Sequence, residues 1–187
     1  MLRHRRSHQT ISSTSSGESR PRTRKRIRKT SGSMTADSRE QRRRRPATTG
    51  SAAETEALGA ELAAMIEPGD VVIVSGEVGA GKTTLIRGAC RALGIETPVT
   101  SPTFTIGQRY EGGRFAVAHL DLYRLESLEA EDPALLEDYL GPDDVAFIEW
   151  PAVAVPALTG RRVLAVRLDH AGGDRRQIEI PAASARK

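Results

Sequence analysis

The chain has 187 residues, 28 Lys and Arg against 24 Asp and Glu, and a formal net charge of +4. That length allows one domain of moderate size plus a tail, and little more. One cysteine excludes an intrachain disulfide framework, and no run approaches the roughly 18 to 20 apolar residues of a membrane span.

The charge is divided sharply along the chain. Residues 1–50 carry 15 Lys and Arg against 3 Asp and Glu, a net of +12, whereas residues 51–187 carry 13 against 21, a net of −8. The basic pI of about 9.6 therefore describes the tail. The domain itself is acidic, which argues against reading the whole protein as a nucleic-acid binder. The N-terminus is charged but lacks the apolar stretch of a secretory signal. Together with the lone Cys90, read as a small buried residue, this gives the expectation of a cytoplasmic protein with no membrane partner.

Residues 1–50 are rich in Arg, Ser and Thr, with Leu2, Ile11, Ile27 and Met34 too sparse to form a core. They are expected to be a disordered basic tail. Its clusters, Arg22 to Lys29 and Arg42 to Arg45, fit an electrostatic arm for RNA or another polyanion. Two other readings stay open: a solvated tail with no specific partner, and a translation start at Met34.

Ser51 as N-cap and Glu54 three residues on form a capping box. Leu58, Leu62, Met65 and Ile66 then recur at helical spacing, until Pro68-Gly69-Asp70 turns the chain. Val71-Val72-Ile73-Val74 reads as a buried strand. It leads into Gly76-Glu77-Val78-Gly79-Ala80-Gly81-Lys82-Thr83, a complete G-x-x-x-x-G-K-[ST] loop, followed by a helix from about Lys82 to Leu93 that Gly94 ends. In such a loop several backbone N–H groups converge on phosphates, aided by the positive end of the helix. Lys82 reaches the outer phosphates and the Thr83 hydroxyl serves magnesium. A nucleoside triphosphate and Mg2+ are the expected cofactors.

Residues 97–105 hold four threonines, a serine and two prolines, which excludes a helix. A hydroxyl-rich loop here is either a switch segment sensing the outer phosphate or a polar connector. Phe104 to Tyr110 and Phe115 to Leu120 read as a hairpin around Glu111-Gly112-Gly113. Past it, His119, Asp121 and Tyr123 alternate onto one face of an extended segment. One or two short helices, interrupted at Pro133, are expected between Leu125 and Leu140. Val145 to Ile148 is an apolar strand ending in Glu149, about 70 residues after the loop. A carboxylate there can hold magnesium or orient a water. Arg161 to Leu168 and Arg175 to Ile180 read as a closing hairpin, with His170 near its turn facing solvent.

Four segments, G-E-V-G-A-G-K-T-T at 76–84, T-S-P-T-F-T at 100–105, H-L-D-L-Y-R at 119–124 and I-E-W-P at 148–151, appear in that order. The series resembles the TsaE family, small bacterial P-loop ATPases of tRNA threonylcarbamoyladenosine synthesis. The resemblance covers about residues 51–180. It implies one α/β domain with a mixed parallel and antiparallel sheet, here 51–181, with 182–187 a C-terminal tail. It also implies weak Mg2+-dependent ATP hydrolysis, with TsaD and TsaB as partners and tRNA contacted indirectly or through the basic tail. On the residues it implies Lys82, Glu149 and Asp121 for catalysis and Thr83 and Glu149 for the metal. The nucleotide falls to Gly76, Glu77, Val78, Gly79, Ala80, Gly81, Lys82, Thr83, Thr84, Thr103 and Trp150. Thr100, Ser101, Thr103 and Thr105 map to the switch-like loop. Trp150 lies either near the nucleotide or partner, or in core packing. Two departures stand out: Glu77 where the family usually has aspartate, and Ala152 where it often has an acid.

A P-loop kinase is the main alternative, but residues 125–140 hold no arginine for a phosphate lid. A GTPase would need an N-K-x-D motif, which is absent. A non-catalytic RNA-binding module would explain the tail and leave the loop idle.

Overall fold

A computed structural model of the protein describes residues 44–102, 105–123, 134–151, 154 and 158–182. The expected tail up to residue 43, the expected helical stretch before Ala134, Thr103, Arg124 and Ala152 lie outside the described residues.

Seven strands form one sheet: β1 (Arg44–Thr49), β2 (Val71–Gly76), β3 (Gly107–Tyr110), β4 (Val117–Asp121), β5 (Val145–Glu149), β6 (Val163–His170) and β7 (Arg176–Pro181), in the spatial order β1-β7-β6-β2-β5-β4-β3. The central four, β6, β2, β5 and β4, run parallel. The outer three are antiparallel additions: β3 on β4, β7 on β6 and β1 on β7. The mixed sheet and both hairpins match the sequence expectation.

The central strands are apolar throughout because both faces of the sheet are covered. All five residues of β5 are buried. One face packs Val72, Val74 and Phe147 under helices α1 (Ala52–Ala63) and α2 (Lys82–Ala92). The other packs Val71, Ala118, Leu120, Ala146 and Ile148 under Leu136, Leu140 and Leu158. Leu136 belongs to α3 (Ala134–Glu137), a single helical turn.

Helix α1 starts as its capping box requires, with the Ser51 hydroxyl accepting from Glu54 N–H at 3.2 Å. The return bond reaches one residue further back: the Glu54 carboxylate accepts the Gly50 N–H at 2.7 Å. Helices α1 and α2 then cross at two glycines. A Cβ at Gly59 would stand 2.1 Å from the Leu85 carbonyl oxygen, and one at Gly88 would stand 2.0 Å from that of Glu56. Only glycine permits that approach.

The start of the domain corrects the sequence reading. Arg44–Thr49, assigned to the tail, is strand β1, paired along its length with β7. Thr49 is buried and its hydroxyl bonds that of Thr55 at 2.9 Å. The stretch has no apolar run of its own. It is a strand because β7 offers an open edge and because Arg44 and Arg45 find Glu179 and Glu61.

Candidate active site

β2 ends at Gly76, whose φ is 143° and whose absent side chain would meet the Leu168 carbonyl oxygen of β6 at 2.1 Å. The loop then runs to Gly81, a left-handed N-cap (φ 96°) that offers α2 no side-chain hydrogen bond. The first N–H groups of α2 therefore remain open to an anion in front of the helix.

Lys82, the first residue of α2, is buried. Its ammonium donates to the Gly76 and Glu77 carbonyls at 3.2 and 3.0 Å. It lies 3.7 Å from Glu149 Oε2 and 4.5 Å from the Trp150 ring centroid. The parallel pairing of β2 with β5 sets Glu149 opposite Val74, just below the loop. Its Oε1 accepts two hydrogen bonds, from the Thr83 hydroxyl at 2.8 Å and from His119 Nε2 at 3.1 Å. A carboxylate can only accept, so Nε2 carries the hydrogen. His119 is completely buried, and its Nδ1 has no partner among the described residues. Burial pushes the Glu149 carboxyl up. The bonds from His119 and Thr83, with the electrostatics of His119 and Lys82, outweigh that and leave its pKa below the ordinary value.

Asp121 ends β4 opposite Glu149 in the parallel register. Its Oδ2 accepts from the Ser101 hydroxyl at 2.8 Å and its Oδ1 from the Tyr123 N–H at 3.2 Å. The Tyr123 ring packs on that of Trp150, centroids 4.9 Å apart. Trp150 has φ 57°, the only left-handed non-glycine among the described residues. Such strain in a bulky residue is uncommon away from functional sites.

These groups border a cleft of about 370 Å³ lined by Val78, Gly79, Gly81, Lys82, Thr83, Thr84, Ser101, Asp121, Tyr123, Glu149 and Trp150. The three residues expected in catalysis and both expected metal ligands thus converge. Gly76, Glu77 and Ala80 do not line it; the first two act through their carbonyls on Lys82. Of the switch-like loop, Ser101 reaches the cleft. The Thr105 hydroxyl instead bonds Gly107, and Thr100 offers its carbonyl to Tyr110. The contact of His119 with Glu149 was not anticipated, although its alternation with Asp121 was the available signal. His170 is exposed, as expected, but its Nε2 lies 3.4 Å from the Val78 carbonyl oxygen.

A family model described as threonylcarbamoyl adenosine biosynthesis protein TsaE matches residues 49–178. The chain belongs to the TsaE family. It is 39% identical over 133 residues to the tRNA threonylcarbamoyladenosine biosynthesis protein TsaE of Bacillus subtilis, covering 71% of this chain and 82% of that one. It is 43% identical over 119 residues to the protein of that name from Streptomyces coelicolor, covering 63% and 80%. The crystal structure of Bacillus subtilis YdiB superposes with a TM-score of 0.58 at 32% identity, covering 75% of this chain and 86% of that one. The TsaE match begins at the last residue of β1. Among the described residues, no helix is long and apolar enough to cross a membrane.

Proposed function

We propose that this TsaE-family protein binds ATP with Mg2+ and hydrolyses it slowly. In doing so it serves the TsaB–TsaD assembly that threonylcarbamoylates adenosine 37 of tRNAs reading codons that begin with A. The observation that carries the reading is the bond of 2.8 Å between the Thr83 hydroxyl and Glu149 at the mouth of an intact phosphate loop. It brings two hard oxygen donors together beside the N-terminus of α2. That donor set fits Mg2+, which takes few protein ligands and completes its shell with phosphate and water.

Bound Mg2+ would supply charge neutralisation on the phosphates. The chain's own residues do the rest. The loop N–H groups and the Lys82 ammonium bind and align the phosphates. Glu149 Oε1 is held by Thr83 and His119 and its Oε2 lies 3.7 Å from the Lys82 ammonium, so the carboxylate is fixed at the cleft wall, where it would orient a water. Its depressed pKa keeps it an anion and therefore an acceptor. Asp121, fixed by Ser101, presents a second carboxylate to the same volume. Hydrolysis would reset the partner complex between turnovers.

The test is ATP hydrolysis by the protein alone and with TsaB and TsaD. Slow hydrolysis that rises with the partners, is lost with binding in Lys82→Ala, and is lost without binding in Glu149→Ala would support the reading. Partner-independent phosphate transfer to a small acceptor would replace it with a kinase.

A further inference from the structure

The tip of the phosphate loop touches the β6–β7 hairpin, on the side of β2 away from Glu149. His170, the last residue of β6, places Nε2 3.4 Å from the Val78 carbonyl oxygen. A carbonyl only accepts, so Nε2 is the donor. Arg176, the first residue of β7, donates from Nη2 to the Gly79 carbonyl at 3.5 Å. Its Nη1 is anchored at 2.9 Å on both Gly173 and Arg175 carbonyls. No carboxylate lies in ion-pair range of Arg176 among the described residues. Its donors serve backbone oxygens, two in its own turn and one in the loop.

A peptide unit is planar and trans, so its C=O and N–H point in opposite directions. Drawing the Val78 carbonyl toward the hairpin turns the Gly79 N–H away from it, toward the cleft that Gly79 lines. Drawing the Gly79 carbonyl the same way orients the next peptide, whose Ala80 N–H closes a turn on the Glu77 carbonyl at 3.2 Å. The loop cannot easily hold these planes alone. Gly79 is left-handed at φ 76°, and the Val78 side chain is 68% exposed. Glycine-rich backbone has many conformations to lose on ordering.

We infer that His170 and Arg176 are positioning residues: they clamp the outer carbonyls of the phosphate loop, so that the Gly79 N–H is aimed and the turn closed by Ala80 is held before a ligand arrives. This rests on the phosphate-binding reading of the loop. The clamp touches the loop and no nucleoside, so it acts on any polyphosphate.

The experiment uses the full chain with His170→Ala, Arg176→Ala and the double variant. Affinities are measured by calorimetry for ATP and for inorganic tripolyphosphate, each with Mg2+. Each single substitution is expected to weaken both ligands by the same factor, about 3- to 10-fold as for one net hydrogen bond. The ligand-free loop amides should exchange hydrogen faster, and His170→Gln, which keeps a donor, should restore affinity. His170 is exposed and Arg176 is half-buried and bonded only to backbone oxygens, so the melting temperature should stay near the parental value. Unchanged affinities and exchange would overturn the clamp. Loss confined to ATP would overturn it too, assigning the side chains to the nucleoside instead. If the parental chain bound neither ligand, the phosphate-loop reading would fall first, and the clamp with it.

Discussion

Adding one methyl group at Gly88 tests the helix crossing on which the site is mounted. A Cβ there would lie 2.0 Å from the Glu56 carbonyl oxygen and 2.6 Å from its carbon. Comfortable contact needs about 3.5 Å, so the helices must part by more than about 1 Å. Two effects oppose. Alanine is preferred over glycine inside a helix by about 1 kcal/mol. Overpacking costs about 1 to 3 kcal/mol, toward the upper end when the obstacle is backbone with no rotamer to move. The shift also loosens Leu58, Leu62, Leu85 and Ile86, all buried in the core beneath the helices. The pairs of Glu56 with Arg87 and Arg91, partly open to solvent, add little. The balance is a loss of about 1 to 2 kcal/mol, or roughly 3 to 8 °C for a domain of this size. Because α2 begins at Lys82, the displacement should also weaken the bond of Thr83 to Glu149. Thermal and urea unfolding followed by circular dichroism would measure the loss. Gly50→Ala is the control, since a Cβ there meets nothing nearer than 3.7 Å. A Gly88→Ala protein more stable than the parent would refute the crossing, because helix preference would then be acting unopposed.

Two truncations, one removing residues 1–43 and one removing residues 1–50, isolate the contribution of β1. Removing residues 1–50 should lower stability by at least about 1 kcal/mol, the worth of the buried bond of Thr49 to Thr55 alone, and expose the β7 edge to aggregation; equal melting of the two truncations would sink this. Glu149 has a folded pKa below its ordinary 4.5, so its contribution to stability is fully present above that value and lost as pH falls through the folded pKa. Acid titration of stability should therefore show a shallower decline in Glu149→Gln than in the parent; identical slopes would contradict the assignment. Cys90 is fully buried and its thiol is pushed up to about 12 by desolvation. It should react with an aromatic disulfide reagent at pH 8 only on unfolding, and prompt labelling of the native protein would disprove its burial.

What the sequence shows plainly here is what local chemistry decides. The phosphate loop, the strand before it, the helix after it and both hairpins follow from glycine placement, apolar runs and turn residues over a few positions. Glu149 was legible because an apolar strand ending in an acid follows an intact loop. β1 was not legible: Arg44-Arg45-Pro46 looks like tail, and its order comes from pairing with residues about 130 positions away. The place of His119 was half legible. Alternation put it on the face of Asp121, but its hold on Glu149 depends on the parallel register of β4 on β5, which no local pattern states. The contact of His170 and Arg176 with the loop likewise arises only after β6 docks beside β2.

Trp150 gives the molecule an optical property. It is the only tryptophan in the chain, and its indole touches both the Lys82 ammonium and the Tyr123 ring at the wall of the cleft. Indole emission from this protein thus originates at one place, within a few ångströms of the Lys82 ammonium. Tyr123 is close enough to pass its excitation to Trp150. The backbone at φ 57° ties the ring to the end of β5, so local motion of that strand end would register in the same signal. Without a label, indole emission excited where tyrosine does not absorb monitors the cleft.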